Sequence, residues 1–465
     1  MAVTHHNYRP ITLLCCAGKL GETTIISQLM AHIKRHKLMP ASQHAYQKKK
    51  STGTIWCDLD TEVQWALDRN WYSSFAMVDM QSAFNLIDKS VLLPKLRMMG
   101  VGEHTLKLIE SYLTGRTNRT KIGDAISSLI DVLTGCGEGS CSGPSYYNCA
   151  TIDSVVALVR VRDRVGEELG VTAALSDDYV DEDVRLSEGT FADDKTGIVS
   201  ARSLDVLEAV LKIMFEEYLK YFSANALKVN VSKSEHIIFY RGERVRKVFI
   251  DGREEASSVK LLGLTVDNKY SFDKHSRLTI SRMNHRLTKL KPLVSLTGPG
   301  TMTNVAESLV MSIPRYNCDI WLNNKNIQSR VQKTANMAMR CVTNKPNDYP
   351  VREMLKSCGW LNMKNLHEYT KLTRCYSIFH HEAADVSYKL WRKVEIRDRA
   401  YRTRVRQWKI AWTARKRGTE ASSFILSAVS LCNLLGLNSR IFTNKTQLKH
   451  YCKTKLIEKN GNDNI

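Results

Sequence analysis

Two adjacent carboxylates at the mouth of a strand constrain this chain more than any other feature. Phe191-Ala192-Asp193-Asp194 runs into Lys195-Thr196-Gly197-Ile198-Val199. Thr196, Ile198 and Val199 favour a strand, so the acidic pair is expected at the tip of a β-hairpin. Side chains alternate between the faces of a strand, so one Asp leads and the other supports. Two carboxylates this close repel unless a cation lies between them. An isolated Asp-Asp is ordinarily a solvated turn, and only a further carboxylate in a matching strand context makes it a site.

Asp79 supplies that context. Phe75-Ala76-Met77-Val78 reads as a buried strand with Asp79 at its end, and Met80-Gln81-Ser82-Ala83-Phe84 follows. Carboxylates at the ends of neighbouring strands can hold two Mg²⁺ ions about 4 Å apart, which suits in-line displacement at phosphorus. Mg²⁺ takes few protein carboxylates and completes its shell with substrate phosphates. Asp79-x-x-x-Ala83-Phe84 and Phe191-Ala192-Asp193-Asp194 resemble the two catalytic motifs of reverse transcriptases, in particular those of non-LTR (LINE-like) retrotransposons.

Further blocks carry the resemblance, in order. Asn7-Tyr8-Arg9-Pro10-Ile11-Thr12-Leu13-Leu14 is similar to the first, followed by a helix with Leu20, Ile25, Ile26, Leu29 and Ile33 at helical spacing. Gln43 to Thr52 is similar to the second, with Tyr46 for Phe, Ala45 for Gly and Gln47 for Arg. Residues 53–74 read as an amphipathic helix. Lys89 to Met99 and Thr105 to Leu113 read as two more, the first closed by Gly100. Gly135 to Pro144 stands in the place of Gly-x-Pro-Gln-Gly-Ser-x-x-Gly-Pro, with Gly137-Glu138 for Pro-Gln. Leu204 to Tyr221 is a helix by its apolar spacing. Leu227-x-x-Asn230-x-x-Lys233-Ser234-Glu235 and Val259 to Leu264 are similar to the last two palm blocks.

The resemblance implies an α+β right-hand polymerase: fingers, a palm with an antiparallel sheet, a helical thumb, and here a basic helical C-terminal extension. The divisions expected are fingers and palm over 1–270, thumb over 271–345 and connector with C-terminal region over 346–465. The implied activity is RNA-directed DNA polymerase, extending a primer 3′-hydroxyl by nucleotidyl transfer. Its partners are an RNA template, a DNA primer or target DNA, and dNTPs. Asp79, Asp193 and Asp194 are the implied ligands of two Mg²⁺ ions, with Mn²⁺ as a substitute. Lys233 is implied as the residue that protonates or positions pyrophosphate. Phe84 is either the gate that excludes a 2′-hydroxyl or a core residue. Lys48 and Lys50 either stand in for the missing arginine, as point charges without a bidentate fork, or form a solvated turn. Gly139 lets the backbone approach the nucleotide. Glu138 replaces an amide donor with a group that, ionised, cannot donate. With the first block at residue 7, the endonuclease that usually precedes such a polymerase is not expected in this chain.

Charge sorts the chain in two. Residues 1–270 carry 33 basic and 34 acidic side chains, and residues 271–465 carry 35 and 13. The whole net charge of +21 therefore belongs to the C-terminal part, where a polyanion is expected to be gripped. Ser276 to Leu290 suits a thumb helix, with Arg277, Arg282, Arg286 and Lys289 reaching for phosphates without reading sequence. Cys358-Gly359-Trp360-Leu361 resembles the connector of LINE-like enzymes. Arg397 to Arg417 reads as a basic helix whose Trp408 and Trp412 either join the core or stack on bases. The acidic run Asp177 to Asp183 reads as a solvated loop.

Twelve scattered cysteines with no Cys-x-x-Cys show neither a zinc ribbon nor a disulfide framework, and point to reduced thiols inside the cell. No signal peptide is legible, and the longest apolar stretch, Phe424 to Leu437, is too short to span a bilayer. No membrane partner is expected. The resemblance places the protein in the nucleus or cytoplasm as a ribonucleoprotein. Two other readings stay open: a catalytically impaired relic that only binds nucleic acid, through Gln47 and Glu138, and a maturase-like RNA-binding protein.

Overall fold

The computed structural model describes residues 11–137, 139–175, 182–243, 246–380, 394–397, 407–410, 431 and 445–459. Glu138, residues 7–10 of the first block, residues 177–181 of the acidic run and Trp412 lie outside the described residues. Backbone contacts divide the chain into two compact units. One comprises residues 1–48, 74–236 and 246–255, the other residues 49–73, 237–245 and 256–465.

The chain opens with α1 (Cys16–Arg35) and α2 (Thr52–Leu67), then β1 (Tyr72–Val78) and a 3-10 turn, Ala83–Leu86. Helices α3 (Lys89–Met98) and α4 (Glu103–Leu113) follow, then a long hairpin. Its strands are β2 (Arg116–Asn118), β3 (Lys121–Ile122), β4 (Ala125–Ile126) and β5 (Ile130–Val132). Next come α5 (Gly143–Ala150), α6 (Val155–Leu169), β6 (Ala173–Leu175), β7 (Val184–Phe191), β8 (Asp194–Ala201), α7 (Leu204–Ala224) and β9 (Glu235–Phe239). A short hairpin of β10 (Phe249–Ile250) and β11 (Arg253–Glu254) completes the first unit.

The main sheet has the order β6-β7-β8-β1-β9. β7 and β8 are antiparallel from Val184↔Ala201 to Phe191↔Asp194, so the expected hairpin is present with Ala192-Asp193 at its tip. The sheet is not purely antiparallel: β6 runs parallel to β7. Helices α6 and α7 pack on each other and on β7 and β8. α6 contributes Ala157, Leu158, Val161 and Val165, and α7 contributes Leu207, Val210, Leu211, Met214 and Phe215. Gly197 of β8 is what lets α7 lie so close, because a Cβ there would enter the space of Met214 and Tyr218. On α1 only part of the expected apolar face is used: Leu29 and Ile33 are buried, whereas Leu20 is 71% exposed. The described end of the acidic run is not a solvated loop. Glu182 is buried, and Asp183 accepts hydrogen bonds from the backbone and hydroxyl of Thr172, because the turn there re-enters the sheet.

The second unit holds α2, two small hairpins and the C-terminal helices. α2 ends at Leu67, short of the expected residue 74, and is buried on nearly every face instead of amphipathic. Its polar groups find partners inside: Tyr270 donates to Asp60 at 3.2 Å, and Trp56 packs edge-on to Phe272. Strands β12 (Ser258–Leu261) and β13 (Leu264–Asp267) turn through Leu262-Gly263, both at positive φ (43° and 83°). The helices are α8 (Asp273–Leu290), α9 (Pro299–Ala306), α10 (Ser312–Arg315), α11 (Cys318–Trp321), α12 (Lys325–Thr343), α13 (Val351–Cys358) and α14 (Met363–His380). Arg374 of α14 forms a buried ion pair with Asp319 of α11. The stretch expected as a basic helix at Arg397 to Arg417 is instead a strand where described. β14 (Val394–Arg397) pairs antiparallel with β15 (Gln407–Ile410), Ile396 opposite Trp408. Alternating Val394, Ile396, Trp408 and Ile410 suit a strand better than a helix. The last helix, α15 (Lys445–Lys459), packs on α14.

Candidate active site

Three observations bring the aspartates to one end of the sheet. β1 and β8 are neighbours, and the Ser74 hydroxyl donates to the carbonyl of Val199 at 3.1 Å. Ser74 lies five residues before Asp79, and Val199 lies five after Asp194. Phe84, just beyond Asp79, meets the ring of Tyr147 at 5.6 Å, and burial followed by the charges of Asp193 and Asp194 holds the Tyr147 phenol well above its usual pKa. The end of β1 and the tip of the hairpin are therefore the same end of the sheet. Asp79 and Asp193 are half-buried and Asp194 is exposed.

Hydrogen bonds hold each carboxylate's backbone. The Asp79 carbonyl accepts from Asn230 N–H at 2.7 Å, and Met80 bridges Val229. Lys233 lies three residues on in the same turn, its amide bonded to the Asn230 carbonyl and its side chain exposed. The turn at Ala192 needs a left-handed φ of 59°. The Gln43 side-chain oxygen accepts from Ala192 N–H (3.4 Å) and Ala45 N–H (2.9 Å). His44 N–H donates to Thr190 O, and Thr190 N–H to Ser42 O, each at 2.8 Å. The segment Ser42–Ala45 is thus stitched to the end of β7. The neighbouring Tyr46 phenol is raised by burial and then by Asp193.

The glycine block packs against the 3-10 turn that carries Phe84. Gly135 and Cys136 donate to the carbonyls of Ile87 and Phe84 (2.7 and 2.8 Å), and a Cβ at Gly135, whose φ is +81°, would run into the Asn85 backbone. Gly139 has φ +104°, and a Cβ there would come within 3.3 Å of the Thr12 carbonyl. Beneath the block lies Glu22, 3% exposed. It accepts from Cys141 N–H (2.9 Å), the Ser142 hydroxyl (3.1 Å) and the Tyr112 hydroxyl. Gln43 and Glu22 were not read from the sequence as site residues. The signal for Glu22 was a carboxylate on the same α1 face as Leu29 and Ile33.

Not every candidate gathers here. Lys48 is exposed and Lys50 half-buried in the turn leading to α2. Gln47, in the place of the arginine, donates its amide to the Gln43 carbonyl. Among the described residues no group of three or more His, Cys, Asp or Glu side chains is gathered closely enough to hold a metal ion. The three aspartates nonetheless fit a divalent cation by donor type, all hard carboxylate oxygens. Like charges also have no reason to close up without a cation between them.

The second unit has its own candidate surface. Arg282, Arg286 and Lys289 of α8, with His285, Leu293 and Tyr316, line an open groove of about 1080 Å³. Positions 282, 286 and 289 form one helical stripe. Arg277 is about 140° round the helix from Arg282 at 100° per residue; it is paired to Asp273 at 2.8 Å and is not part of that stripe. In the same groove His275 is pushed down to about 4, by burial and then by Arg282.

A sheet with an aspartate at the end of one strand and two more at the tip of the neighbouring hairpin, beside a glycine-rich turn, is the arrangement of a polymerase palm. Residues 4–266, more than half of the chain, match the reverse transcriptase (RNA-dependent DNA polymerase) family, and the chain belongs to it. Its sequence is 26% identical over 356 residues to a probable RNA-directed DNA polymerase from transposon BS of Drosophila melanogaster, over 73% of this chain and 36% of that protein. It is 24% identical over 272 residues to the RNA-directed DNA polymerase from mobile element jockey of the same species, over 58% of this chain and 28% of that protein. The chain spans about a third of the length of the curated relatives it matches. Apo telomerase from Candida tropicalis is similar at a TM-score of 0.39 and 11% identity, over 80% of this chain and 61% of that chain. Telomerase from Candida albicans with a fragment of telomeric RNA is similar at 0.33 and 10%, over 79% and 56%. The family fixes the fold class as the right-hand polymerase, and its members use divalent metal ions.

Proposed function

We propose that this chain is an RNA-directed DNA polymerase of retrotransposon origin, extending a primer 3′-hydroxyl along an RNA template with dNTPs. The reading rests above all on Asp79 and the Asp193–Asp194 turn lying at one end of the sheet inside the family's matched region. Asp79, Asp193 and Asp194 would hold two Mg²⁺ ions, with Mn²⁺ as a substitute. Bound there, such ions acidify an attacking hydroxyl and neutralise a triphosphate. Phe84, half-buried on its turn against Tyr147, walls the sugar side of the pocket. Lys233, exposed in the turn hydrogen-bonded to Asp79, supplies a proton or a charge to leaving pyrophosphate. Arg282, Arg286 and Lys289 grip the phosphates of the template–primer duplex. Lys48 and Lys50 add charge for the triphosphate, and Gly139 leaves room for it. The proposal extends to fingers and palm over 1–270, thumb over 271–345 and connector beyond, and to a ribonucleoprotein in nucleus or cytoplasm.

Primer extension on an RNA template with Mg²⁺ tests it. Wild type is expected to extend, and Asp193→Asn to abolish extension while RNA binding persists. Loss of both together makes Asp193 structural. One observation favours a second reading, a nucleic-acid-binding relic: Gln47 turns its uncharged amide to the Gln43 carbonyl where the arginine would offer a guanidinium to phosphate. Wild type that binds RNA but never extends selects that reading.

A further inference from the structure

Directly under the Asp193–Asp194 turn lies a buried ion pair that the polymerase reading does not use. Lys195 follows Asp194 on β8 and, by strand alternation, points to the opposite face. Its ammonium lies 2.7 Å from Glu188 Oε2 of β7, with side-chain exposures of 2% and 3%. It also donates to the Ser154 hydroxyl at 3.1 Å and lies 5.0 Å from the centre of the Tyr218 ring. Glu188 accepts two more hydrogen bonds, from Tyr218 OH of α7 (3.3 Å) and from the Ser42 hydroxyl (3.1 Å). Ser42 belongs to the segment whose Gln43 oxygen receives Ala192 N–H. One carboxylate thus ties together β7, β8, α7 and the segment that caps the aspartate turn.

We propose that Glu188 and Lys195 are positioning residues for Asp193 and Asp194. The inference rests on the polymerase reading and adds to it. Lys195 is anchored one residue from Asp194, so the pair fixes how far the turn extends past the sheet. Through Ser42 and Gln43 the same carboxylate fixes the left-handed Ala192. Neither side chain touches the reacting atoms; both act through the turn. A neighbouring hydrophobic pair would fill the volume but would give Ser42 and Ser154 no partner. Removing one charge leaves the other buried and unpaired, so the informative change removes both.

The full-length chain carrying Glu188→Gln with Lys195→Met is compared with wild type by circular dichroism and thermal melting. RNA binding, primer-extension kinetics and Mn²⁺ affinity by electron paramagnetic resonance are then measured. A folded double variant is expected to bind RNA normally, to lose on the order of 10²-fold in kcat as for an ångström-scale misplacement, to keep its nucleotide KM, and to bind Mn²⁺ more weakly. A folded double variant with wild-type kcat and Mn²⁺ affinity overturns the proposal. Ser42→Ala keeps both charges and removes only the Glu188 carboxylate's hydrogen bond to the capping segment, and it reports in place of the double variant if that fails to fold. It too should lower kcat without moving KM, and wild-type behaviour there overturns the proposal. If wild type extends no primer, the polymerase reading fails on its own, and the Mn²⁺ titration still decides the role of the pair.

Discussion

Ala192 holds a left-handed φ of 59° that alanine adopts at some cost, and the Gln43 oxygen and the Ser42–Ala45 stitching keep it there. Strain at that one residue turns two sequence-adjacent carboxylates to different surroundings, Asp193 half-buried and Asp194 exposed. Phe84 illustrates the same economy on the other side of the site. Its turn begins at Ser82, also left-handed at φ 46°, and the ring is pinned against Tyr147 without being swallowed by the core. Phe84→Val is therefore expected to admit ribonucleotides, lowering the dNTP-to-rNTP preference roughly 10- to 200-fold, the range for steric selection by a pocket wall. Single-nucleotide insertion with dCTP and CTP measures it, and an unchanged ratio returns Phe84 to a packing role. Residue by residue, the strand end at Asp79 and the hairpin tip at Asp193 were legible because their letters are local. Glu22, Gln43, Glu188 and Lys195 were not, since each finds partners more than a hundred residues away or on another element.

Among the elements, α8 shows how helical geometry sorts four basic residues that look equivalent in sequence. Arg282, Arg286 and Lys289 share the groove-lining stripe, and Arg277 is spent on Asp273. Replacing the three stripe residues with Gln should weaken binding to an RNA–DNA duplex. It should also reduce the slope of log affinity against log salt by about 0.7–0.9 for each phosphate no longer neutralised. Arg277→Gln should change neither. Fluorescence anisotropy across a salt series separates the two, and equal effects from Arg277 would contradict the sorting. The helix at α2 taught the opposite lesson. Its periodicity looked amphipathic, yet Asp60, Thr61, Glu62 and Gln64 are all buried. Tertiary partners such as Tyr270 satisfy such groups, and periodicity cannot register a partner 210 residues away.

At the scale of the molecule, acid should erode stability through two buried histidines. His275 and His367 are each pushed down to about 4 from the usual 6.5, chiefly by burial. His367 faces the Cys318 carbonyl at 2.9 Å, and Thr265 N–H donates to His275 Nδ1 at 3.3 Å. Both pKa values are lower folded than unfolded, so between pH 6.5 and 4 the unfolded chain binds more protons and stability rises with pH. Their contribution is complete above 6.5 and is lost as pH falls toward 4, at up to about 1.4 kcal/mol per pH unit for each group. Urea denaturation from pH 7 to pH 4 should show this decline, with a shallower slope in His367→Gln. A flat profile would mean that both rings stay protonated in the fold. No helix among the described residues is long and apolar enough to cross a membrane.

By itself the sequence determined what short-range chemistry can determine. A strand ends in Asp79, a hairpin tip carries Asp193 and Asp194, α7 runs where its apolar spacing says, and Leu262-Gly263 turns β12 into β13. Those features depend on residues within a few positions of one another. Only the tertiary structure decided that Asp79 and Asp194 stand at the same end of the sheet, since that follows from which strands are neighbours. It also decided that Glu22 and Glu188 are buried supports, that Arg277 leaves the basic stripe's work to its neighbours, and that the tryptophan at 408 sits in a strand. A buried charge is stable only where distant chain segments bring its partners, and that meeting is written in the fold, not in any window of the sequence.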